Sequence, residues 1–203
     1  MNQQQLQILS EAKKIVTEIF LNEVNPLFVF HNLEHTLQVV NAAEEIEGHY
    51  QLNDDDQFVL FLSSWFHDTG FSAGHVEEHE KESIKLAKDF LYHRNAGEKI
   101  TTHISSCILA THIPQEPLNM VEKILCDADL FHLGTNMFKE RNELLRQELK
   151  AYHKFDFSRK EWCQLSIEFL TSHQYFTGYC QKKLGPLKTE WIEQLQNKQG
   201  TLA

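Results

Sequence analysis

Glycine and proline are scarce in this sequence, with eight Gly and four Pro among 203 residues. Because these two residue types most often interrupt regular structure, their scarcity lets long helices run without a break. No segment shows the alternation of apolar and polar residues, rich in β-branched side chains, that is typical of a strand. The sequence therefore predicts an all-α fold, and its length is enough for one domain with a sizeable core.

Positive charge is also in short supply, since 19 Lys and Arg stand against 29 Asp and Glu. The formal net charge is −10, and no basic run stands out against it. Such a surface repels a polyanion, so we expect no nucleic-acid polymer as a partner. A small anionic ligand needs only a local positive site, which a bound metal ion could supply.

Cysteine pairs and long apolar runs are missing as well. The four cysteines lie far apart, without a C-x-x-C pair, which favours reduced and mostly buried thiols. The first residues, MNQQQLQILSEAKK, lack the apolar stretch of a signal peptide. The longest apolar run, 58–66, is too short to span a bilayer. We therefore expect a cytoplasmic protein without a membrane partner.

Apolar residues recur at helical spacing along most of the chain. In the second predicted helix, His35, Val39, Ala42 and Ile46 fall on one stripe. The third predicted helix is apolar nearly all round, so it should be central and buried. Gly185-Pro186 is a potential break or kink in the last helix. The predicted helices cover about 3–24, 33–47, 53–68, 77–92, 98–111, 119–132, 136–152, 158–171 and 175–196.

Twelve histidines are the one unusual feature of the composition, and they concentrate between 31 and 132. His35 lies on a core-facing stripe, and His67-Asp68 closes the buried third helix. A charged aspartate at the end of a buried helix, as Asp68 is, is costly unless it is paired or bound to a metal. Asp127 and Asp129 lie in an otherwise apolar helix. Two imidazoles and two carboxylates on three core helices could hold Mn, Fe, Co, Ni or Zn, or Mg as a harder ion. The helical register does not decide between the two aspartates.

The order His, His-Asp, Asp on successive helices resembles the HD superfamily of metal-dependent phosphohydrolases. FHNLEH at 30–35, SSWFHD at 63–68 and DADLFHLG at 127–134 stand in this sequence. They are similar to the YHNLxH, AxWFHD and DADLxxLG blocks of a bacterial branch of predicted HD phosphohydrolases. With ILATH at 108–112, the resemblance extends over about 28–175.

This resemblance implies one compact HD-type helical domain over 1–203, with about eight or nine helices. Its motif-bearing core would cover about 28–135, and a helical extension would cover about 136–203. The family's last motif matches the segment that begins at Asp129, which favours Asp129 over Asp127 as a ligand. The metal ligands that the resemblance implies are His35, His67, Asp68 and Asp129.

The resemblance also implies an enzyme that hydrolyses a small phosphorylated compound, such as a nucleotide, by attack of a metal-activated water. It does not distinguish a phosphomonoesterase from a phosphodiesterase. Asp68 would also orient or deprotonate the water, and His79 or Glu80 would donate or accept a proton. Relatives with two metals carry extra histidines, which predicts room for a second metal near His79 and His112. A homo-oligomer is compatible with this interpretation.

One alternative is a zinc protease. His31-Asn-Leu-Glu34-His35 is an H-x-x-E-H string, in which two histidines would bind zinc and Glu34 would be the base. That interpretation leaves His67-Asp68 and Asp129 without a role. We therefore expect His31 to lie at the entry of its helix, at the edge of a pocket.

The other alternative is a catalytically weak, metal-bound module that senses a ligand or binds a partner. Many relatives carry Arg or Lys where this sequence has Asn32, Phe71 or Ser72, and Leu130. The missing positive residues favour the sensor, whereas the complete set of ligands favours the enzyme. The basic residues that could substitute for them are Lys81, Lys85, Arg94 and Arg141.

Overall fold

The computed structural model describes residues 1–74 and 77–201, and no strand occurs within them. Two short 3-10 helices accompany the nine α-helices of this part of the chain: Thr69–Ala73 and Phe131–Gly134. None of the described helices is both long and apolar enough to cross a membrane. The α-helices are α1 Gln3–Asn22, α2 Leu33–Glu47, α3 Asp54–Phe66, α4 His79–Tyr92, α5 Glu98–Ala110, α6 Met120–Asp129, α7 Phe138–His153, α8 Arg159–Ser172 and α9 Gly178–Thr201.

The chain divides into two compact units. The first comprises 1–26 and 31–129 and contains α1 to α6, and the second comprises 27–30 and 130–203. The prediction of an all-α fold is confirmed.

Helix α3 is the centre of the first unit, where it packs against α1, α2, α4, α5 and α6. From Phe58 onward its side chains are buried on nearly every face, as its apolar sequence predicts. The Asn53 side chain caps its N-terminus by accepting the backbone N–H of Asp56 at 3.0 Å, and three aspartates fill its first turn. The buried C-terminal end of α3 therefore delivers His67 and Asp68 into the interior.

The second unit is built around an apolar cluster that joins the 3-10 helix Phe131–Gly134 to α7, α8 and α9. The segment 27–30 belongs to this unit because two buried charged residues of α7 bind it. The Phe30 N–H donates to Glu148 at 2.8 Å, and Arg141 Nη2 donates to the Phe30 carbonyl at 2.7 Å. The cluster consists of Leu130, Leu133, Phe138, Leu170 and Trp191.

Three of the predicted helix ends, at 132, 175 and 196, differ from the structure by three residues or more. Helix α6 ends at Asp129 rather than 132, because the chain tightens there into a 3-10 turn in which the Leu133 N–H donates to the Leu130 carbonyl. Helix α9 begins at Gly178, after Thr177, whose side chain accepts the Cys180 N–H at 3.2 Å. It then continues through Pro186 to Thr201, so the predicted break at Gly185-Pro186 does not end it.

Candidate metal centre

Helix α2 presents His35 from its first turn. The Asn32 side chain accepts the backbone N–H of His35 at 3.0 Å and so caps the helix. The apolar residues of the same stripe, including Val39 and Ile46, are buried with it. The cap fixes the start of the helix, and the stripe fixes its rotation, so His35 points into the interior.

The end of α3 presents His67 and Asp68. Nδ1 of His67 lies 2.9 Å from the Ser64 carbonyl oxygen. Because a carbonyl can only accept, Nδ1 carries a proton, and in the neutral ring Nε2 is left as a free electron pair. This is the arrangement found for histidines that bind metals through Nε2.

These side chains converge with Asp129, the last residue of α6. Nε2 of His35 lies 3.1 Å from Oδ1 of Asp129, and Nε2 of His67 lies 3.7 Å from the same oxygen. One potential ligand atom from each of the three residues lies within 4.8 Å of the other two. Oδ2 of Asp68 lies 3.4 Å from His35 Nε2 and 3.3 Å from His67 Nε2. Asp127, by contrast, is fully buried and is not part of the group of three.

The chemistry of these atoms fits a divalent cation. Nε2 of His67 and Oδ2 of Asp68 are both buried, and neither makes a hydrogen bond. Buried polar atoms without a hydrogen bond are rare, because losing water without gaining a partner is costly. Two imidazole nitrogens and two carboxylate oxygens are a donor set that first-row transition metals accept.

Protonation in the metal-free centre reflects burial and charge together. Burial alone would lower the pKa of His67, but the Asp68 and Asp129 carboxylates outweigh it and raise that pKa to about 9. At His35 burial prevails over these carboxylates, so its pKa is lowered. Burial opposes ionisation of Asp68 and Asp129, yet the neighbouring imidazoles hold the pKa of both carboxyls below its ordinary value. The centre therefore carries two negative charges beside one cationic imidazole.

A second polar cluster adjoins the first through Asp68. The other oxygen of Asp68, Oδ1, lies 3.4 Å from Nε2 of His79. Nδ1 of His79 lies 3.6 Å from Oε2 of Glu80, and Oε1 of Glu80 lies 3.0 Å from Nδ1 of His112. Glu80 is buried, whereas the His112 side chain is 62% exposed. The predicted residues His79, Glu80 and His112 thus lie together.

Gly70 explains why the start of α4 lies so close to Asp68. A Cβ atom at this position would overlap the carbonyl group of His79 and lie 2.9 Å from the Ser83 backbone nitrogen. The Gly70 N–H also donates to Ser83 Oγ at 2.8 Å. Only glycine permits this approach between the 3-10 helix and α4, and the approach sets His79 in place.

His31 lies at the edge of this cluster, as its position before α2 predicted. Its ring stacks on Phe71, with ring centroids 4.3 Å apart and an angle of 14° between the planes. Phe71 also contacts His79. Glu34 is exposed and accepts a hydrogen bond from Gln38, so the H-x-x-E-H string does not turn its glutamate towards the buried site. This arrangement disfavours the zinc protease.

Gln115 is a contact that the sequence patterns did not indicate. Its Nε2 lies 3.4 Å from Oδ2 of Asp129, and its Oε1 is buried without a hydrogen bond. Gln115 lies between α5 and α6, outside any helix, so no periodicity marks it. The contact of the Gln115 amide with the Asp129 carboxylate could therefore be found only from the structure.

The four basic residues that were considered for phosphate binding have other partners. Lys81 pairs with Glu78, and Lys85 pairs with Glu82 at 3.4 Å. The remaining two are Arg94, which pairs with Glu11 at 2.7 Å, and Arg141, which binds the Phe30 carbonyl in the second unit. Nδ1 of His103 lies 3.9 Å from Oδ1 of Asp56.

Comparison with known families identifies the family to which the chain belongs. The family model of the HD domain matches residues 32–134, which hold the three motif blocks from Asn32 onward. The chain belongs to the HD superfamily of metal-dependent phosphohydrolases. HD domains bind divalent metals, and the cluster of His35, His67 and Asp129 could hold one. No curated protein and no solved structure matches the chain.

Proposed function

We propose that the protein is a metal-dependent phosphohydrolase that acts on a small phosphorylated compound such as a nucleotide. The observation that carries this proposal is the buried convergence of His35, His67, Asp68 and Asp129, in which two potential ligand atoms make no hydrogen bond. Family membership supports hydrolysis as the reaction class, since the HD family is generally hydrolytic.

His35, His67 and Asp129 would hold the metal, with Asp68 Oδ2 as a further ligand. When bound, a divalent cation supplies Lewis acidity, which polarises a phosphoryl oxygen and lowers the pKa of water. The contact with the Ser64 carbonyl fixes a proton on Nδ1 of His67, so that Nε2 is the nitrogen a cation would meet. Gln115 Nε2 lies 3.4 Å from the Asp129 carboxylate and would help to position it.

His79 is the residue we assign to proton transfer. Its Nε2 faces Oδ1 of Asp68, and its ring is partly exposed, so a substrate or water can reach it. Glu80 is buried between His79 and His112, which suits it to hold both imidazoles in place. Asp68, His79 and Glu80 would then act as one unit, with Asp68 orienting the attacking water and His79 exchanging the proton.

The same contacts support a second metal beside the first. Asp68 lies beside Nε2 of His79, and Glu80 lies between Nδ1 of His79 and His112. These are the residues from which a second ion would draw its ligands. Metal analysis of purified protein would distinguish about one from about two equivalents.

Activity assays with added Mn²⁺, Fe²⁺, Co²⁺ or Ni²⁺ test the proposed reaction. The panel contains nucleotides, sugar phosphates, cyclic dinucleotides and model phosphodiesters, and we expect release of phosphate or cleavage of a diester from at least one. Because Lys81, Lys85 and Arg94 are held by neighbouring carboxylates, weak phosphate binding should appear as a high KM. The matched control is His67→Ala, which should be inactive with every metal.

The same engaged lysines and arginine favour the sensor as the second candidate. Tight binding of one panel compound without turnover, in protein that is fully loaded with metal, would replace the enzyme by the sensor. Turnover that persists in His67→Ala at the wild-type rate would contradict both, because neither then uses this centre.

A further inference from the structure

Charge is distributed unevenly between the two units. Residues 130–203 carry eleven Lys and Arg against eight Asp and Glu, although the whole chain has a net charge of −10. The second unit is therefore positive within a strongly acidic protein. None of its residues is among the proposed metal ligands, so the metal centre does not account for this positive charge.

Part of this charge surrounds a cavity of about 510 Å³ within the second unit. Trp162 and Trp191 contribute to its wall, and Glu143 is the one carboxylate in its lining. A cavity of this volume is large enough for a small organic molecule. The basic residues that line it are Lys139, Arg146, Arg159 and Lys198.

Two of these cations make no ion pair within the described residues, namely Lys139 and Arg159. Nζ of Lys139 lies 4.6 Å above the Trp191 ring, and Arg159 is exposed at the first residue of α8. Arg146 lies 3.8 Å from Glu143 and donates to the Phe157 carbonyl at 2.6 Å. The cavity thus offers cationic groups that neighbouring carboxylates do not neutralise.

A second cavity, of about 240 Å³, lies beside the first and is mainly apolar. The two share a wall formed by Phe138, Asn142, Trp162 and Ser166. Asn142 and Ser166 hydrogen-bond to each other at 3.1 Å, so this polar pair is already satisfied. Nε1 of Trp162, by contrast, is buried and has no hydrogen-bond partner. The rest of the apolar lining includes Phe30, Leu133, Leu145, Leu165 and Phe169.

We propose that these two cavities form a binding site for a small amphipathic anion. Its acidic head would lie among Lys139, Arg146 and Arg159, and its apolar body would enter the neighbouring cavity across the shared wall. The ring of Trp162 belongs to the wall that the two cavities share. An aliphatic carboxylate and an aryl sulfonate share this chemistry, and neither is a substrate for hydrolysis of a phosphate.

Isothermal titration of the full chain with decanoate and with 1-naphthalenesulfonate tests the site, and tryptophan fluorescence gives a second readout. Decanol and inorganic phosphate, which carry only the body or only the charge, are the controls and should bind far more weakly. Shortening the aliphatic chain should weaken binding by about fourfold for each methylene group. If only the aryl anion binds, the apolar body is aromatic; if only decanoate binds, it is aliphatic; either result supports the site.

The decisive comparison is between Arg159→Glu and Lys160→Glu. Both place the same charge change in the first turn of α8, but Lys160 is exposed and does not line the cavity. Arg159→Glu should weaken binding of the anion by about tenfold or more, because a charge-assisted contact is lost. Lys160→Glu should change the binding affinity by less than about threefold. Lys139→Gln, which does not alter α8, should also weaken binding of the anion, but by a smaller factor.

Three results would overturn the proposal: equal effects of the two glutamate variants, equal binding of decanol and decanoate, or no binding of either anion at millimolar concentration. Thermal unfolding of each variant shows whether it is folded. Metal content should equal that of the unmodified chain in all three variants, so the test does not depend on the phosphohydrolase proposal.

Discussion

Two carboxylates lie within 4 Å of Nε2 of His67, a fully buried imidazole. Removing that imidazole should remove the metal, because its Nε2 is one of the three potential ligand atoms that lie within 4.8 Å of one another. We expect His67→Ala and Asp68→Ala each to lose bound metal, measured by elemental analysis of protein purified without chelator. His103→Ala, near Asp56, is the matched control and should keep it. Full metal content in both site variants would contradict the assignment.

The two aspartates of α6 should behave differently. Asp129 lies 3.1 Å from His35, whereas Asp127 is buried outside the group of three. Asp129→Asn should therefore lower metal affinity by about tenfold or more, within the range seen when metal sites lose a supporting group. Asp127→Asn should bind metal nearly as well as the unmodified protein. A larger loss of affinity in Asp127→Asn would show that the ligand was assigned to the wrong aspartate.

Metal binding should depend on pH through His67. Its pKa of about 9 means that the ring is protonated at neutral pH without metal, and a ligand imidazole must be neutral. Because this pKa is raised above the ordinary value, the ion pairs of His67 stabilise the metal-free fold below about pH 6.5 in full, and this stabilisation is lost as the pH rises through about 9. Metal affinity should rise by up to about tenfold per pH unit between pH 7 and 9. Calorimetry in buffers of different ionisation enthalpy would detect the released proton, and an affinity that is constant over this range would contradict the prediction.

At the scale of elements, the junction between the 3-10 helix Thr69–Ala73 and α4 depends on Gly70. Gly70→Ala should destabilise the protein by at least about 2 kcal/mol, because the new methyl group must displace the His79 backbone. Gly48→Ala is the control, since its Cβ would lie 3.5 Å from the nearest carbonyl oxygen, at ordinary contact distance. Urea unfolding measures both. Equal stabilities of the two variants would mean that the close approach at Gly70 is relieved at little cost.

The sequence predicted well those features that depend on a single helix. Periodicity predicted α2 at its observed bounds and the burial of α3, and it placed His67-Asp68 at the buried end of α3. It could not choose between Asp127 and Asp129, because both fit the pattern of one helix. The contacts of Gly70, Glu80 and Gln115 join segments that are distant in sequence, and no local pattern encodes them.

At the scale of the whole molecule, bound metal should raise thermal stability. A ligand that binds only the folded state at about 100 times its Kd adds about 2.7 kcal/mol, which for a chain of this length corresponds to roughly 5–10 °C in Tm. Treatment with a chelator should lower Tm by that amount, and readdition of Mn²⁺ should restore it. The His67→Ala variant should not respond to either treatment. A chelator effect of the same size in this variant would place the stabilising metal elsewhere.

The net charge of the whole chain is distributed unevenly between the two units. The net value of −10 led to the expectation that polyanions are repelled, yet it averages an acidic first unit and a positive second unit. Composition alone cannot reveal such a division, because it depends on where the chain separates into units. The small anionic ligands proposed here require only local positive potential, so their binding is compatible both with the net charge of the whole chain and with the charge of each unit.

The Asp68 carboxylate faces His35 and His67 with one oxygen and His79 with the other. Asp68 can contact both clusters because its two carboxylate oxygens are equivalent, and no other amino acid offers this at the same side-chain length. Glutamate is longer by a methylene, while asparagine is uncharged and has an acceptor oxygen at only one end. Position 68 therefore has no conservative replacement, and a change there would disturb both neighbouring clusters together.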